Sequence, residues 1–292
     1  MRPVESSELA ELAERVARAA GDAVRARRPD GVPGTSTKST VTDMVTELDR
    51  ASEAIVVSSL LAARPDDAIV GEEGADLAGT SGISWLVDPI DGTTNLLYDL
   101  PGWAVSIAAA DASGTVAAVV YVPTFGDLFR AVRGGGALLN GRPISCRDRG
   151  DLATALIGTG FAYRAEKRAE QGQLAARLLP LVRDLRRSGA AAVDLCSVAC
   201  GRLDGYYEEG LAPWDLAAGA LIAHEAGAVL TDLDGGPVRP ASVLAAGPAL
   251  HPPLLRLLRR LADEAIGGSA EEAAAGPPRE AGDAAHPHVG AG

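Results

Sequence analysis

Apolar residues recur at three- and four-residue intervals over residues 5–28, with Leu9, Leu12, Val16 and Ala20 set among Glu and Arg. That spacing predicts an amphipathic helix whose stripe packs on the core. Pro29 to Gly34 end it, and a Ser/Thr-rich stretch, Thr35 to Thr42, leads into a second helical pattern from about Val45 to Ala63. Asp67 to Val70 reads as a short strand running into Gly71-Glu72-Glu73-Gly74. From about residue 84 the pattern changes to strands: Ser84 to Val87, Ala104 to Ala110, Gly114 to Val122 and Leu128 to Val132, separated by Pro and Gly turns. These predict an antiparallel sheet. Gly134-Gly135-Gly136 and Asn140-Gly141 read as hairpin turns rather than phosphate cradles, because no helix start follows in the right place.

Beyond about residue 150, short strand patterns (Ala155 to Gly158, Asp204 to Glu208) alternate with helical segments at about 165–182, 190–201 and 214–226. Such alternation implies α/β architecture. The chain thus divides into an N-terminal α+β half, 1–148, and a C-terminal α/β half, 149–264. Residues 265–292 carry Gly, Ala, Pro and charge with no apolar period and read as a disordered tail.

At 292 residues the chain can bury a sizeable core, but only 4% of it is aromatic, so that core should rest on Leu, Val, Ile and close backbone packing. The net charge of −12 argues against a broad grip on nucleic acid or anionic lipid. A phosphate-bearing substrate would have to be recruited locally, most easily through a metal. Cys146, Cys196 and Cys200 form no ligand pattern with the four histidines and no even disulfide framework, which fits a reducing compartment, the cytoplasm. Cys196 and Cys200, four apart on a predicted helix, read as small core residues. The N-terminus has no apolar h-region, and the longest apolar stretches are broken by charges such as Asp111 and Glu225. Neither export nor membrane insertion is expected.

The run Trp85-Leu86-Val87-Asp88-Pro89-Ile90-Asp91-Gly92-Thr93-Thr94-Asn95 carries the most chemistry. An apolar strand delivers Asp88, Pro89 blocks its regular continuation, and Asp91 follows within a forced turn. Gly92 permits an unusual backbone angle and close approach by a ligand, and Thr93 and Thr94 offer N–H groups and hydroxyls. An isolated Asp-x-x-Asp-Gly is also what a capped turn looks like. Here, however, Glu72-Glu73 ends an upstream strand, and Pro213-Trp214-Asp215 opens a helix far downstream. Four acids from three segments are hard to bring together without cations. Hard oxygen donors of this kind suit a divalent ion. His224, His251, His286 and His288 sit in no nucleophile constellation, and His224 belongs on a helix face.

These stretches resemble the inositol monophosphatase family of metal-dependent sugar phosphatases. Glu72-Glu73, Asp88-Pro89-Ile90-Asp91-Gly92-Thr93-Thr94-Asn95, and Trp214-Asp215-Leu216-Ala217-Ala218-Gly219 with Glu225-Ala226-Gly227-Ala228 match its three principal motifs in order and spacing. Weaker agreement covers about residues 8–262: Lys38 with Asp43 to Asp49, Gly136 to Gly141, and Arg187 to Ala192 before Tyr206-Tyr207-Glu208.

The resemblance implies a layered α-β-α-β-α fold, an antiparallel N-terminal sheet with a smaller C-terminal α/β half, and Mg²⁺-dependent hydrolysis of a small phosphate monoester, with two or three Mg²⁺ per active site. Carried over, Glu72, Asp88 and the carbonyl of Ile90 would hold one Mg²⁺, and Asp88, Asp91 and Asp215 a second. Glu72, Thr93 and Asp49 would serve catalysis, with Asp49 orienting Thr93 toward the attacking water. Asp91, Gly92, Thr93, Gly189, Ala191, Glu208 and Asp215 would contact substrate, a phosphorylated polyol such as inositol-1-phosphate. A homodimer is the family expectation. Glu208 reads equally as a surface carboxylate, Asp194 as a pocket residue or a solvated helix position, and Arg183, Arg186 and Arg187 as a solvated helix end. Histidinol-phosphate phosphatase, fructose-1,6-bisphosphatase and phosphoadenosine phosphatase share the chemistry, though Thr94 stands where histidinol-phosphate and phosphoadenosine relatives commonly have Lys. A regulatory binding protein is the alternative of another class, since some relatives associate with transcription machinery.

Overall fold

A computed structural model describes residues 3–27, 35–37 and 44–275. Helix α1 (Pro3–Arg27) is followed by the short pair β1 (Thr35–Thr37) and β2 (Met44–Thr46), then α2 (Glu47–Ala63). Next come β3 (Ala68–Gly71), β4 (Asp76–Leu77), β5 (Ser84–Asp91), α3 (Thr93–Leu97), β6 (Ala104–Asp111), β7 (Gly114–Val122), β8 (Asp127–Val132), β9 (Ala137–Leu139) and β10 (Arg142–Ile144). The C-terminal half holds β11 (Leu156–Thr159), α4 (Ala165–Leu178), β12 (Asp184–Arg186), α5 (Ala191–Ala199), β13 (Gly205–Glu209), α6 (Pro213–Glu225), β14 (Val229–Thr231), β15 (Ser242–Ala246) and α7 (His251–Ala275).

The first sheet runs β10-β9-β8-β7-β6-β5-β3-β4, and the second β12-β11-β13-β15-β14. Side-chain alternation sends the two faces of each into different cores. On β6 and β7, Val105, Ile107, Ala117, Val119 and Tyr121 pack under α1, where Leu9, Leu12, Val16 and Ala20 supply the expected stripe. The intervening Ala104, Ala108, Ala118, Val120 and Val122 face α5 and α6 on the other side. The second sheet repeats the device: Tyr206, Val243 and Ala245 join that middle core, while Tyr207, Leu244 and Ala246 face α4 and α7. The layers are therefore α-β-α-β-α. Ala108 opposite Ala118, and Ala109 opposite Ala117, keep both faces of the large sheet shallow, so helices approach closely without aromatic bulk.

The structure departs from the sequence reading at several points. The first sheet is not wholly antiparallel, because β4 folds back on β3 and leaves β3 to pair in parallel with β5. Residues 44–46 pair with 35–37 instead of starting the second helix, as β-branched Val45 and Thr46 favour. The helix beginning at Ala165 stops at Leu178 and tightens into a 3₁₀ turn at Leu179–Leu181, since Pro180 cannot donate to an α-helical ladder. Arg183, Arg186 and Arg187 thus lie on and beside the short strand β12, not at a helix end. Helix α7 continues to Ala275, past the expected start of the tail at residue 265, in a run rich in the helix formers Ala and Glu. Residues 276–292, and Lys38 and Asp43 of the family pattern, fall outside the described residues. Among the described residues no helix is long and apolar enough to cross a membrane.

Candidate active site

Strand β5 lies between β3 and β6, and its pairing with β6 is regular down to Asp88 opposite Ser106, then breaks until Asp91 opposite Ala104. Pro89 has no N–H to continue the ladder. Residues three apart on a regular strand point to opposite faces, but after this irregularity both Asp88 and Asp91 line one cleft. Two bonds fix the irregular segment: Ser52 of α2 donates its hydroxyl to the Pro89 carbonyl at 2.8 Å, and the Ile90 N–H donates to Asp88 Oδ1 at 3.0 Å. Gly92, at φ +91°, then takes a left-handed conformation that a side chain would strain, and Thr93 opens α3. The Thr93 hydroxyl lies 2.9 Å from Asp49 Oδ1 and 3.2 Å from the Ile90 carbonyl.

Glu72 leaves the end of β3, next to β5. Its N–H donates to the Val87 carbonyl at 3.2 Å, and the following N–H, of Glu73, donates to Glu53 Oε1 at 3.0 Å. A Cβ on Gly71 would lie 2.2 Å from the same Glu53 oxygen, so only glycine lets α2 brace this turn. Asp215 occupies the first turn of α6 and accepts from the Ala212 N–H at 2.8 Å, capping its own helix.

Glu72, Asp88 and Asp215 each bring a carboxylate oxygen within 4.8 Å of the others'. Asp91 joins the cleft differently: its two oxygens accept the N–H groups of Ala191 at 3.1 Å and Ala192 at 2.7 Å. It thereby caps α5, whose own N-cap position, Ala190, has no side-chain acceptor, and places an anion where the helix dipole favours one. Burial, followed by the charges of Glu72, Asp91 and Asp215, pushes the Asp88 carboxyl well up. Burial and Asp215 do the same to Asp91, against the Ala192 N–H. An all-oxygen donor set in which burial and neighbouring charge raise Asp88 and Asp91 fits a hard divalent cation.

The cleft, of about 820 Å³ including its open mouth, extends away from these acids to Gly160, Arg187, Gly189 and Glu208. Those residues sit at or just beyond the C-terminal ends of the parallel strands β11, β12 and β13, where open α/β sheets place ligands. Glu208 is half-buried in the cleft wall, hydrogen-bonded by the Tyr206 hydroxyl, and no simple surface carboxylate. Burial raises its pKa, while Tyr206 and Arg187 oppose the rise. A Cβ on Gly160 would come within 1.9 Å of that carboxylate.

The solvated reading of Asp194 is corrected: it is 1% exposed, and its Oδ1 has no hydrogen-bond partner among the described residues. Burial pushes it up to about 7, with Ser188 opposing and Glu208 adding. Cys196 is a buried core residue, as expected, and His224 is an exposed position on α6. Sequence reasoning missed Glu53 and the place of Arg187 in the cleft. For Arg187 the signal available was Gly189, at φ +90°, which turns the chain back toward α5.

The layered α/β fold brings a cluster of acids to one cleft, and the comparisons with known proteins make it a phosphoric monoester hydrolase. The inositol monophosphatase family model matches residues 5–264. The chain is 42% identical over 275 residues to the inositol-1-monophosphatase SuhB of Mycobacterium tuberculosis, covering 88% of this chain and 95% of that protein. It is 41% identical over 229 residues to the Nus factor SuhB of Escherichia coli K12, covering 77% and 85%. The crystal structure of the extragenic suppressor protein suhB from Bartonella henselae superposes with a TM-score of 0.81 at 34% identity, covering 86% of this chain and 98% of that one. The chain belongs to the inositol monophosphatase family.

Proposed function

We propose that the protein hydrolyses inositol-1-phosphate, or a closely related polyol monophosphate, in a Mg²⁺-dependent reaction. The observation that carries this reading is the approach of Glu72, Asp88 and Asp215 to within 4.8 Å at one end of a cleft whose other end holds Glu208. Glu72, Asp88 and the Ile90 carbonyl would hold one ion, and Asp88, Asp91 and Asp215 another. Bound there, Mg²⁺ supplies charge neutralisation for phosphate oxygens and a lowered pKa for bound water.

The chain's own groups do the rest. The Thr93 hydroxyl, donating to Asp49 Oδ1 at 2.9 Å, keeps its lone pairs turned toward the cleft and accepts a hydrogen bond from the incoming water, which it orients. Asp49 is itself buried, which fixes the direction of that hydroxyl. The Gly92 and Thr93 amides bind phosphate oxygen. Glu208, ionised, accepts hydrogen bonds from hydroxyls at the far end of the substrate, and the backbone from Gly189 to Ala191 forms the wall beside it. Hydrolysis adds the elements of water across the ester P–O bond, hydroxyl to phosphorus and proton to the departing alkoxide.

The test is phosphate release from inositol-1-phosphate, histidinol phosphate, fructose-1,6-bisphosphate and phosphoadenosine phosphate, each with and without Mg²⁺. Highest turnover on the first, lost on chelation, is the expected result, and preference for another substrate reassigns the branch. Glu208→Ala should raise KM for inositol-1-phosphate about tenfold or more, and for 4-nitrophenyl phosphate much less; equal effects on the two remove its recognition role. The reading puts the enzyme in the cytoplasm, consistent with three free cysteines, and makes it a homodimer, which a molar-mass measurement by light scattering checks. Relatives named Nus factor raise a role in transcription complexes, for which Mg²⁺-independent association with those proteins is the discriminating result.

A further inference from the structure

Among the described residues that line the cleft, Arg187 is the one cation, set against the carboxylates of Glu72, Asp88, Asp91, Glu208, Glu209 and Asp215. Four of those acids belong to the proposed metal end. At the far end Glu209 is paired with Lys167 at 3.3 Å, which leaves Glu208 and Arg187 as the charges facing a substrate. Two glycines give this pair its room. A Cβ on Gly160 would overlap the Glu208 carboxylate, and one on Gly189 would lie 2.6 Å from Arg187 Nη1. The guanidinium therefore lies folded against the turn that leads into α5. It is close enough to Glu208 and to the buried Asp194 to pull both carboxyls down against their burial.

We propose that Arg187, acting with Glu208, is a specificity residue that selects substrates with a vicinal diol at the end remote from the phosphate and rejects those with a cationic group there. The inference rests on the phosphatase reading and names the substrate feature that the far end takes. An ionised carboxylate only accepts hydrogen bonds, and a guanidinium only donates them. Adjacent hydroxyls, each able to do both, satisfy the two partners together, one donating to Glu208 and its neighbour accepting from Arg187. A distal ammonium or imidazolium would gain from Glu208 but meet the fixed positive charge of Arg187 at the same point. Arginine also suits a paired contact better than lysine, because its planar fork presents several donors at fixed spacing.

The experiment compares kcat/KM for inositol-1-phosphate, histidinol phosphate and 4-nitrophenyl phosphate in the Mg²⁺-loaded wild type, R187M and R187K. In R187M the value for inositol-1-phosphate should fall about tenfold or more, chiefly through KM, while that for histidinol phosphate rises. The histidinol-to-inositol ratio then climbs by well over about tenfold. R187K keeps the charge and should still disfavour histidinol phosphate while losing much of the diol preference. A structural role alone would scale all three substrates together. Equal scaling, or no change in the ratio, overturns the assignment of Arg187 while leaving the phosphatase reading in place. Wild-type protein inactive on every phosphate monoester with Mg²⁺ overturns both.

Discussion

Asp88→Asn is expected to lower phosphate release by about a hundred- to a thousandfold, while the variant folds and its metal-free form melts at a higher temperature than the wild type. The two effects have one origin. Asp88 is 2% exposed, and its ionised form is opposed by burial and by the charges of Glu72, Asp91 and Asp215. A neutral isostere removes that repulsion and so raises the stability of the metal-free form. It also removes the anion shared between the two proposed metal positions, and losses of this order follow removal of a single group stabilising a transition state. Phosphate-release kinetics and thermal melts in EDTA measure the pair. An active variant would eliminate the bridging-carboxylate model, and an inactive but less stable one would mean that the cluster is not under electrostatic strain.

The second large effect concerns pH. Asp88, Asp91 and Asp194 all have folded-state pKa values above the ordinary 3.8. A raised pKa means that the folded protein holds more protons than the unfolded chain between the two values, so stability falls as pH rises through that window. For Asp194 the window runs from 3.8 to about 7. Metal-free protein should therefore lose stability steadily from about pH 4 towards neutrality. Millimolar Mg²⁺ should restore about 2–3 kcal/mol at neutral pH if its concentration is near a hundred times its dissociation constant. Asp194 is not itself a proposed ligand, although its charge acts on Asp91, and Asp194→Asn removes its share of the slope. Melting temperatures across pH, with EDTA and with Mg²⁺, read all three contributions. A flat EDTA profile between pH 4 and 7 would contradict the burial of these carboxyls as unrelieved charges.

The sequence was most informative where period and chemistry coincide. The stripe of Leu9, Leu12, Val16 and Ala20 marks α1, and the apolar runs of β6 and β7 mark a sheet covered on both sides. The triplet Glu72, Asp88 and Asp215 was legible because acids from three distant segments are hard to bring together without cations. Other features depend on contacts that no local pattern encodes. Strands β12 and β14 are three residues long and owe their existence to neighbours distant in sequence. The pairing of Asp91 with the amides of Ala191 and Ala192 spans about a hundred residues and gives α5 a cap that its own N-terminal residues lack. Asp194 carries the ordinary look of an acid near a helix start, and only the tertiary fold shows it to be buried. Arg187 stands among other arginines, and the turn at Gly189 alone sends it into the cleft.

The contact between α5 and α6 has a bearing on attempts to redesign the enzyme. Gly219 lies where an added Cβ would be 2.8 Å from Leu195, and these two helices carry, at their first turns, the amides that hold Asp91 and the carboxylate of Asp215. Bulk introduced at that crossing would be transmitted to both acids at once, although Gly219 itself touches neither. Engineers seeking new substrates therefore have latitude around Arg187 and Tyr163 at the cleft mouth, and almost none along the helix crossing behind it.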